Sequence, residues 1–227
     1  MKDSTLQQIL ADKAGKRAVV LATDLATGDE RLIYPHEYGD DPLMSAAQDT
    51  ARLDKCALVE HEGTKVFLNV YNPHLQLIIV GAVHIAQPLA QMAAITGYDV
   101  TVVDPRAAFA DAERFPGITV MSEWPDDALA VLALNARTAV VTLTHDPKID
   151  DVALEVALRA PVFYIGALGS RKTHSARLQR LGQAGFSDAD LTRISGPVGL
   201  AIGAKSPAEI AVAVLAQITE RLRQPPT

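Results

Sequence analysis

The sequence predicts an α/β fold, in which a small α+β domain precedes a larger domain built on a parallel sheet. Two patterns support this prediction. Near-continuous apolar runs alternate with helical segments after residue 73, whereas short helices and partly alternating strands fill the region before it. Strands that alternate with helices need crossover connections, which produce a parallel sheet with helices on both faces. We place the two domains at residues 1–72 and 73–227 of the 227-residue chain.

The first domain combines helical and strand patterns and ends at Asn72-Pro73. Proline has no N–H to donate to a strand ladder and restricts the residue before it, so the last strand ends there. Hydrophobic spacing predicts two helices and three strands. The helices cover residues 5–13 and 42–53, and the strands cover residues 17–23, 31–34 and 65–71.

The second domain opens with the apolar run LQLIIV at residues 75–80, which is typical of a strand buried on both faces. Helices and strands then alternate to the end of the domain. Further strands are predicted at residues 98–103, 118–120, 138–143 and 161–165, and helices at 84–96, 150–158, 171–184, 188–194 and 207–222.

Composition and charge exclude several classes of partner. The chain has 21 Lys and Arg against 27 Asp and Glu, and the formal net charge of −6 disfavours nonspecific nucleic-acid binding. The single cysteine, Cys56, cannot form an internal disulfide, which fits a reducing compartment. No apolar run follows Lys2, and the stretch at residues 75–83 is too short to span a membrane. We therefore expect a cytoplasmic protein with neither nucleic-acid nor membrane partners.

The first strand-to-helix turn of the second domain partly matches the dinucleotide-binding pattern G-x-G-x-x-G/A. Gly81 and Ala86 fit the first and last positions, but Val83 replaces the middle glycine and would block close approach of a phosphate. Asp104 lies 23 residues after Gly81, where such folds place an acid that binds ribose. The alternative is that Gly81 serves only a tight turn and Asp104 begins a loop.

The segment YIGALGSRKTH predicts an anion site at the start of a helix. Gly166 and Gly169 punctuate a loop that leaves a buried strand, and Ser170 is a candidate N-cap for the helix that follows. Arg171 and Lys172 then oppose the helix dipole, which is unfavourable unless the N-terminus binds an anion. The alternative is a solvated basic surface, because further arginines follow on the same helix.

His145 and Asp146 follow the fourth strand of the second domain. Ligands of doubly wound folds bind at the carboxyl ends of the strands, so both residues would face the same crevice as Gly81 and Gly166. Asp146-Pro147 is also a common helix start. The six histidines show no H-E-x-x-H spacing, and neither a G-x-S-x-G elbow nor a phosphate-loop motif is present. We therefore predict no metal ligands and no catalytic residues.

Several segments of the second domain, in register, resemble the C-terminal Rossmann-like domain of the XdhC/CoxI family. The resemblance extends over residues 75–220, and its most specific segment is FYIGALGSRKTH at residues 163–174. The other matching segments lie at residues 81–87, 101–106, 143–147, 185–187, 196–200, 202–204 and 206–211.

Members of this family are accessory proteins for molybdenum hydroxylases such as xanthine dehydrogenase. The resemblance implies that the chain binds the molybdenum cofactor (molybdopterin), protects it while its terminal sulfur is installed, and delivers it to the apo-enzyme as a carrier rather than a catalyst. It also implies a homodimer, with a cysteine desulfurase as a further partner. Molybdopterin carries a terminal phosphate and its dinucleotide form a pyrophosphate, and either group suits the predicted anion site.

The resemblance and the fold together place the cofactor-binding residues at the carboxyl edge of the predicted sheet. We expect the phosphate to be held by Gly166, Gly169, Ser170, Arg171 and Lys172. We expect the crevice to be lined by Gly81, His84, Asp104, Arg106 and His145.

Two alternative functions remain open at this point. An NAD(P)-dependent oxidoreductase would use Asp104 for ribose or Arg106 for a 2′-phosphate, although Val83 and the lack of a Tyr-x-x-x-Lys pair count against it. An interaction partner that no longer binds cofactor would account for the first domain, since residues 1–72 lack the Gly-Gly-Cys stretch usual in the family. Cys56 lies in a different sequence context, and the sequence assigns no function to this domain.

Overall fold

The computed structural model describes residues Met1 to Gln224 and confirms the predicted α/β class. The chain divides into two compact units, Met1–Pro73 and His74–Gln224. Each unit has its own sheet and its own hydrophobic core. Among the described residues, no helix combines the length and the apolar content that are needed to cross a bilayer.

The first unit is built on an antiparallel sheet with the strand order β2-β1-β4-β3. Its elements are α1 (Asp3–Ala14), β1 (Val19–Asp24), β2 (Glu30–Ile33), α2 (Met44–Leu53), β3 (Ala57–His61) and β4 (Thr64–Tyr71). Successive side chains of a strand point to opposite faces. Val20 and Ala22 of β1 therefore pack in one core cluster, whereas Val19 and Leu21 pack with Ile9 of α1 in another.

The sequence pattern does not predict β3, which forms a hairpin with β4 through Glu62 and Gly63. Both turn residues have a positive φ, +49° and +75°, as a two-residue type I′ turn requires. Asn, Asp and Gly are the usual residues at the first of these positions, so Glu62 gives no turn signal in the sequence.

The second unit alternates strands with helices. Its elements are β5 (Leu75–Val80), α3 (Ala86–Ile95), β6 (Tyr98–Val103), a 3₁₀ turn (Ala112–Arg114), β7 (Thr119–Met121), α4 (Pro125–Val131), β8 (Thr138–Thr142), α5 (Pro147–Arg159), β9 (Tyr164–Ala167), α6 (Arg171–Gln183), α7 (Asp188–Leu191), β10 (Ile194–Ser195) and α8 (Pro207–Arg223). The strands are parallel and follow the order β10-β9-β8-β5-β6-β7.

This strand order places a topological switch point between β5 and β8. Counted within the unit, it is the 3-2-1-4-5-6 order of a doubly wound sheet. Ligands of such sheets bind in the crevice beyond the carboxyl ends of the strands at the switch point. Leu77 and Ile79 of β5 pack in one core cluster, and Ile78 and Val80 pack in a second cluster on the other face. The strand is buried on both sides, as its sequence predicts.

Several elements of the second unit differ from the sequence prediction. The sequence pattern does not predict α4, which begins with Pro125 in its first turn. The helix predicted at residues 188–194 ends at Leu191, and Ile194 instead pairs with Ile165 as part of β10. The helix α7 has four residues and the strand β10 has two. Neither is long enough to show a hydrophobic periodicity, so the sequence pattern does not distinguish a short helix and a strand from one longer helix.

The strand predicted at residues 161–165 lies two to three residues later, at Tyr164–Ala167. Gly166 is therefore a buried residue of β9 rather than part of the loop before α6. A Cβ at this position would lie 2.6 Å from Val198 Cγ2 and 2.9 Å from the Tyr164 ring. Gly166 thus makes room for neighbouring side chains, which explains a glycine within a buried strand.

Gly81 sets how closely the turns after β5 and β8 approach each other. Its φ is +111°, and a Cβ here would lie 2.6 Å from Thr144 Cγ2. Gly97 has a similar φ of +91°, but no atom lies within 4 Å of the position of its Cβ. Replacing Gly97 would therefore cause backbone strain alone, whereas replacing Gly81 would cause the same kind of strain and also a steric clash with Thr144.

We expect Gly81→Ala to lower the free energy of unfolding by roughly 3–5 kcal/mol, because it adds overpacking to backbone strain. Gly97→Ala is the matched control and should cost roughly 1–2 kcal/mol, from strain alone. Urea unfolding measures both values. Equal losses for the two variants would show that the contact with Thr144 is unimportant.

Candidate functional site

The structure brings four turns together at the carboxyl edge of the parallel sheet. They follow β5, β6, β8 and β9, and the first residue of three of these turns donates a hydrogen bond to the end of a neighbouring strand. Gly81 N donates to Val103 O (2.8 Å), Leu143 N donates to Val80 O (2.8 Å), and Leu168 N donates to Thr142 O (2.9 Å). All the candidate site residues apart from Gly166 lie on these turns or in the first turn of α6.

Asp104 connects the turns after β5 and β6. Its side chain is fully buried, and its carboxylate accepts hydrogen bonds from Ala82 N (2.8 Å) and from Arg106 N (3.0 Å), Nε (2.9 Å) and Nη2 (2.8 Å). Burial alone would raise the pKa of this carboxyl, but the hydrogen bonds from Arg106 and Ala82 hold that pKa below its ordinary value. Both oxygens of Asp104 therefore accept hydrogen bonds from within the protein, and its place in the cofactor crevice stays a prediction.

Arg106 is the partly exposed member of this pair. About a third of its side chain (36%) is accessible, and its guanidinium stacks over the Phe109 ring at 4.2 Å. The hydrogen bonds to Asp104 raise the pKa of Arg106, and the charges of Asp146 and Asp150 act in the same direction. Asp104 thus holds a cation in a fixed orientation at the edge of the sheet.

Asp150 of α5 holds the turn after β8. Its buried carboxylate accepts hydrogen bonds from Thr144 N (3.2 Å), Thr144 Oγ1 (2.7 Å) and His145 N (3.1 Å). His145 has a φ of +64° and an exposed side chain, and Asp146 caps α5 as its sequence suggests. Burial raises the pKa of Asp150, although these hydrogen bonds and the charge of Arg177 oppose that shift. Neither Thr144 nor Asp150 stands out in the sequence.

The N-terminus of α6 has the features expected of an anion site. Ser170 is its N-cap, and Ser170 Oγ accepts a hydrogen bond from Thr173 N at 3.1 Å, which confirms the predicted cap. Arg171 and Lys172 occupy the first two helical positions, are exposed, and have no acidic residue beside them in the first turn. Amides at these positions have no partner within a helix, so they are available to an anion.

Arg177 of α6 is a buried cation against the same loop. Its side chain is 2% exposed, Nη2 donates to Leu168 O at 2.9 Å, and Nη2 lies 3.7 Å from Asp150 Oδ2. Nε and Nη1 have no hydrogen-bond partner among the described residues. Burial lowers the pKa of Arg177, and the negative charge of Asp150 opposes that shift. The sequence gives one indication that Arg177 is a buried cation, which is its position as the seventh residue of a basic helix.

His84 and Val83 occupy the turn between β5 and α3. The His84 side chain is exposed, whereas Val83 is partly buried and packs against the core of the second unit. Val83 stands where a dinucleotide-binding turn has its middle glycine. Its side chain contributes to core packing here.

His174, on the first turns of α6, is partly buried and lines a separate cavity of about 560 Å³ with Leu178, Gly182 and Leu191. Its Nδ1 is buried and has no hydrogen-bond partner among residues 1–224. Burial and the nearby charge of Arg177 lower the pKa of His174. In this part of the chain, no group of three or more His, Cys, Asp or Glu side chains is placed to hold a metal ion.

Comparison with known proteins identifies relatives of the second unit. A sequence model described as the XdhC Rossmann domain matches residues 77–218. The molybdenum cofactor insertion chaperone PaoD of Escherichia coli is 35% identical over 155 residues, which is 68% of this chain and 42% of PaoD. A Bacillus subtilis protein described as a probable subunit of xanthine dehydrogenase is 33% identical over 184 residues, covering 80% of this chain and 52% of that protein.

A solved structure shares the fold along almost the whole chain. A crystal structure described as a xanthine dehydrogenase from Bacillus halodurans superposes with a TM-score of 0.63 and 24% sequence identity, over 97% of this chain and 64% of that one. This likeness supports the architecture. The chain spans about half or less of the length of the two sequence relatives.

We expect Asp104→Asn to lower the free energy of unfolding by roughly 2–4 kcal/mol, because a neutral amide cannot accept all four hydrogen bonds and leaves Arg106 unpaired. Asp99→Asn, an exposed change on β6, is the matched control and should leave stability within about 0.5 kcal/mol of the parent. Urea unfolding at neutral pH measures both. An unaffected Asp104→Asn protein would contradict the role assigned to this carboxylate.

We expect the partly buried His174 to make stability depend on pH. Its pKa in the folded state lies below the ordinary value of 6.5. Between those two values the unfolded chain binds more protons, so the free energy of unfolding falls as the pH drops below 6.5 and levels off below the folded-state pKa. Unfolding of the parent and of His174→Gln across this range tests the effect. The variant should show a smaller fall, and the control His84→Gln, at an exposed histidine of the same unit, should behave like the parent.

Proposed function

Because the chain belongs to the XdhC family, we propose that it binds the molybdenum cofactor and delivers it to a molybdenum hydroxylase of the xanthine dehydrogenase type. The observation that carries this proposal is the N-terminus of α6, where Arg171 and Lys172 are exposed beside free helix amides. This terminus lies within residues 77–218, the part that matches the family.

The cofactor is a cargo with a phosphate at one end, and the loop before α6 fits that group. The Gly169 and Ser170 amides and the two basic side chains would hold the phosphate or, in the dinucleotide form, the pyrophosphate. Gly169 has a φ of +149°, which residues with a side chain rarely adopt, and a Cβ here would lie 3.1 Å from Thr173 Cβ, so glycine suits the helix entrance. Gly166 acts indirectly, by letting β9 pack closely against Val198. No proton transfer or bond cleavage by these residues is needed.

The remaining candidate residues would form the crevice around the body of the cofactor. His84 and His145 are exposed on the turns after β5 and β8, and Arg106 is fixed on the turn after β6 by its bonds to Asp104. Gly81 contributes by allowing the turns after β5 and β8 to lie close together. We propose Arg106 as a further cation available to the cargo.

The geometry favours this carrier role over an NAD(P)-dependent oxidoreductase. A ribose would have to displace Arg106 or Ala82 from Asp104, and a pyrophosphate would meet the Val83 side chain in the first turn.

We propose that the chain works in the cytoplasm as a homodimer, with the apo-hydroxylase and a cysteine desulfurase as partners. The exposed free thiol of Cys56 fits a reducing compartment. A carrier of a sulfurated cofactor has to meet both the protein that supplies sulfur and the protein that receives the cofactor. It acts on neither as a catalyst.

The test is to purify the protein from cells that make the molybdenum cofactor, then measure molybdenum and the fluorescence of oxidised pterin. The parent should carry pterin in near-stoichiometric amount. Arg171→Ala/Lys172→Ala should lower the pterin content several-fold, because it removes both exposed cations of the loop. Lys13→Ala/Lys55→Ala, which removes the same charge from the first unit, should not.

Equal pterin content in the loop variant and its control would remove this loop from the site. If the parent carries neither pterin nor molybdenum, even after incubation with free cofactor, the carrier function is wrong. A stable complex with an apo-hydroxylase and no small ligand would then favour a pure interaction partner. Saturable binding of NAD or NADP by calorimetry would instead favour an oxidoreductase.

A further inference from the structure

Arg177 is a buried cation whose hydrogen-bonding capacity is largely unused. Only 2% of its side chain is exposed. A guanidinium has five N–H groups, yet Nη2 makes the one hydrogen bond found for it, to Leu168 O, and Nε and Nη1 have no partner within residues 1–224. Leaving charged donors unpaired in a protein interior is costly, so such groups usually meet an acceptor.

The nearest carboxylate does not supply that acceptor. Asp150 Oδ2 lies 3.7 Å from Nη2, too far for a hydrogen bond, and this oxygen already accepts from His145 N. Asp150 Oδ1 accepts from Thr144 N and Oγ1. Asp150 therefore forms a buried ion pair with Arg177 that balances its charge, but it leaves the Nε–H and Nη1–H groups of Arg177 without an acceptor among residues 1–224.

The guanidinium lies against the loop that leads into α6. Helical side chains point back toward the N-terminus of their helix, and Arg177 reaches Leu168, the residue before Gly169. Arg171 and Lys172 begin the same helix on the exposed side. The loop before α6 therefore has the exposed Arg171 and Lys172 on its solvent side and the buried Arg177 on its interior side.

We propose that Arg177 is the buried cation of a phosphate site at the N-terminus of α6, where an oxygen of the bound phosphate accepts hydrogen bonds from its free N–H groups. This inference rests on the proposed function in one respect, because it takes the same loop as the phosphate site. It adds a binding residue from the protein interior and fixes the ligand class as a phosphate monoester or diphosphate. Arg and phosphate form short, charge-assisted hydrogen bonds that tolerate little change of donor geometry.

The experiment titrates inorganic pyrophosphate into the full chain by calorimetry. The parent should bind it, and Arg177→Lys should weaken binding by about tenfold or more, because lysine keeps the charge but loses the planar donors. Arg180→Lys is the matched control. Arg180 lies on the same helix, bonds Asp151 through Nε (2.5 Å) and Nη2 (3.1 Å), and its replacement should leave the affinity unchanged.

A second measurement, the NMR spectrum of arginine side chains, uses the parent protein and therefore does not require that Arg177→Lys folds. In the parent protein, the Nε–H resonance of Arg177 should shift when pyrophosphate is added, and the resonance of Arg180 should not. An unchanged Arg177 resonance in a protein that binds pyrophosphate would overturn the inference and leave buried water as the partner of these groups. A folded Arg177→Lys protein with parental affinity would overturn it equally.

These outcomes separate the inference from the proposed function. If the parent carries pterin but its Arg177 resonance is insensitive to pyrophosphate, the inference fails and the carrier function stands. If pyrophosphate binding depends on Arg177 while no pterin or molybdenum is carried, the phosphate site stands and the carrier function fails.

Discussion

Two buried carboxylates hold the carboxyl edge of the parallel sheet in its shape. Asp104 joins the end of β6 to the first turn after β5 through Ala82 N, and Asp150 holds the turn after β8 through Thr144 and His145. Gly81 lets the turns after β5 and β8 pack against each other. The oxygens of Asp104 accept hydrogen bonds from the backbone and from Arg106, and those of Asp150 accept hydrogen bonds from the turn after β8. The charged side chains left accessible to a ligand include Arg106, Arg171 and Lys172, which are all positive.

This arrangement distinguishes the molecule from a dinucleotide-binding protein with the same strand order. In the dinucleotide-binding fold an acid after the second strand binds the ribose, and a glycine in the first turn admits the pyrophosphate. Here Asp104 is bonded to Arg106, and Val83 fills the glycine position and packs against the core. The sheet therefore presents Arg106 to the crevice, and the proposed anion site lies at the start of α6. A chain with net charge −6 thus concentrates cations where a phosphate would bind.

Local sequence chemistry predicts the parts of the site that depend on neighbouring residues. Ser170 and Asp146 are found as N-caps because their hydroxyl and carboxylate groups bind amides two or three residues ahead. Asp150 and Arg177 escape such reasoning because they lie 27 residues apart and meet only when α5 and α6 pack. The position of Gly166 within β9 likewise depends on Val198, which lies beyond α6 and α7. The parallel sheet and the N-caps of α5 and α6 follow from the sequence pattern, whereas the charge arrangement at the edge requires the packed fold.

If a phosphate accepts hydrogen bonds from the free N–H groups of Arg177, as proposed, its binding raises the stability of the second unit. A ligand that binds only the folded state stabilises it in proportion to the logarithm of its concentration relative to its dissociation constant, and a ligand that also satisfies buried N–H groups removes a cost which the empty protein bears. Ser170 keeps the helix entrance formed without the ligand, so the site need not be built when the phosphate arrives. A loop that is already ordered beside buried, unpartnered N–H groups is what the proposed carrier function requires.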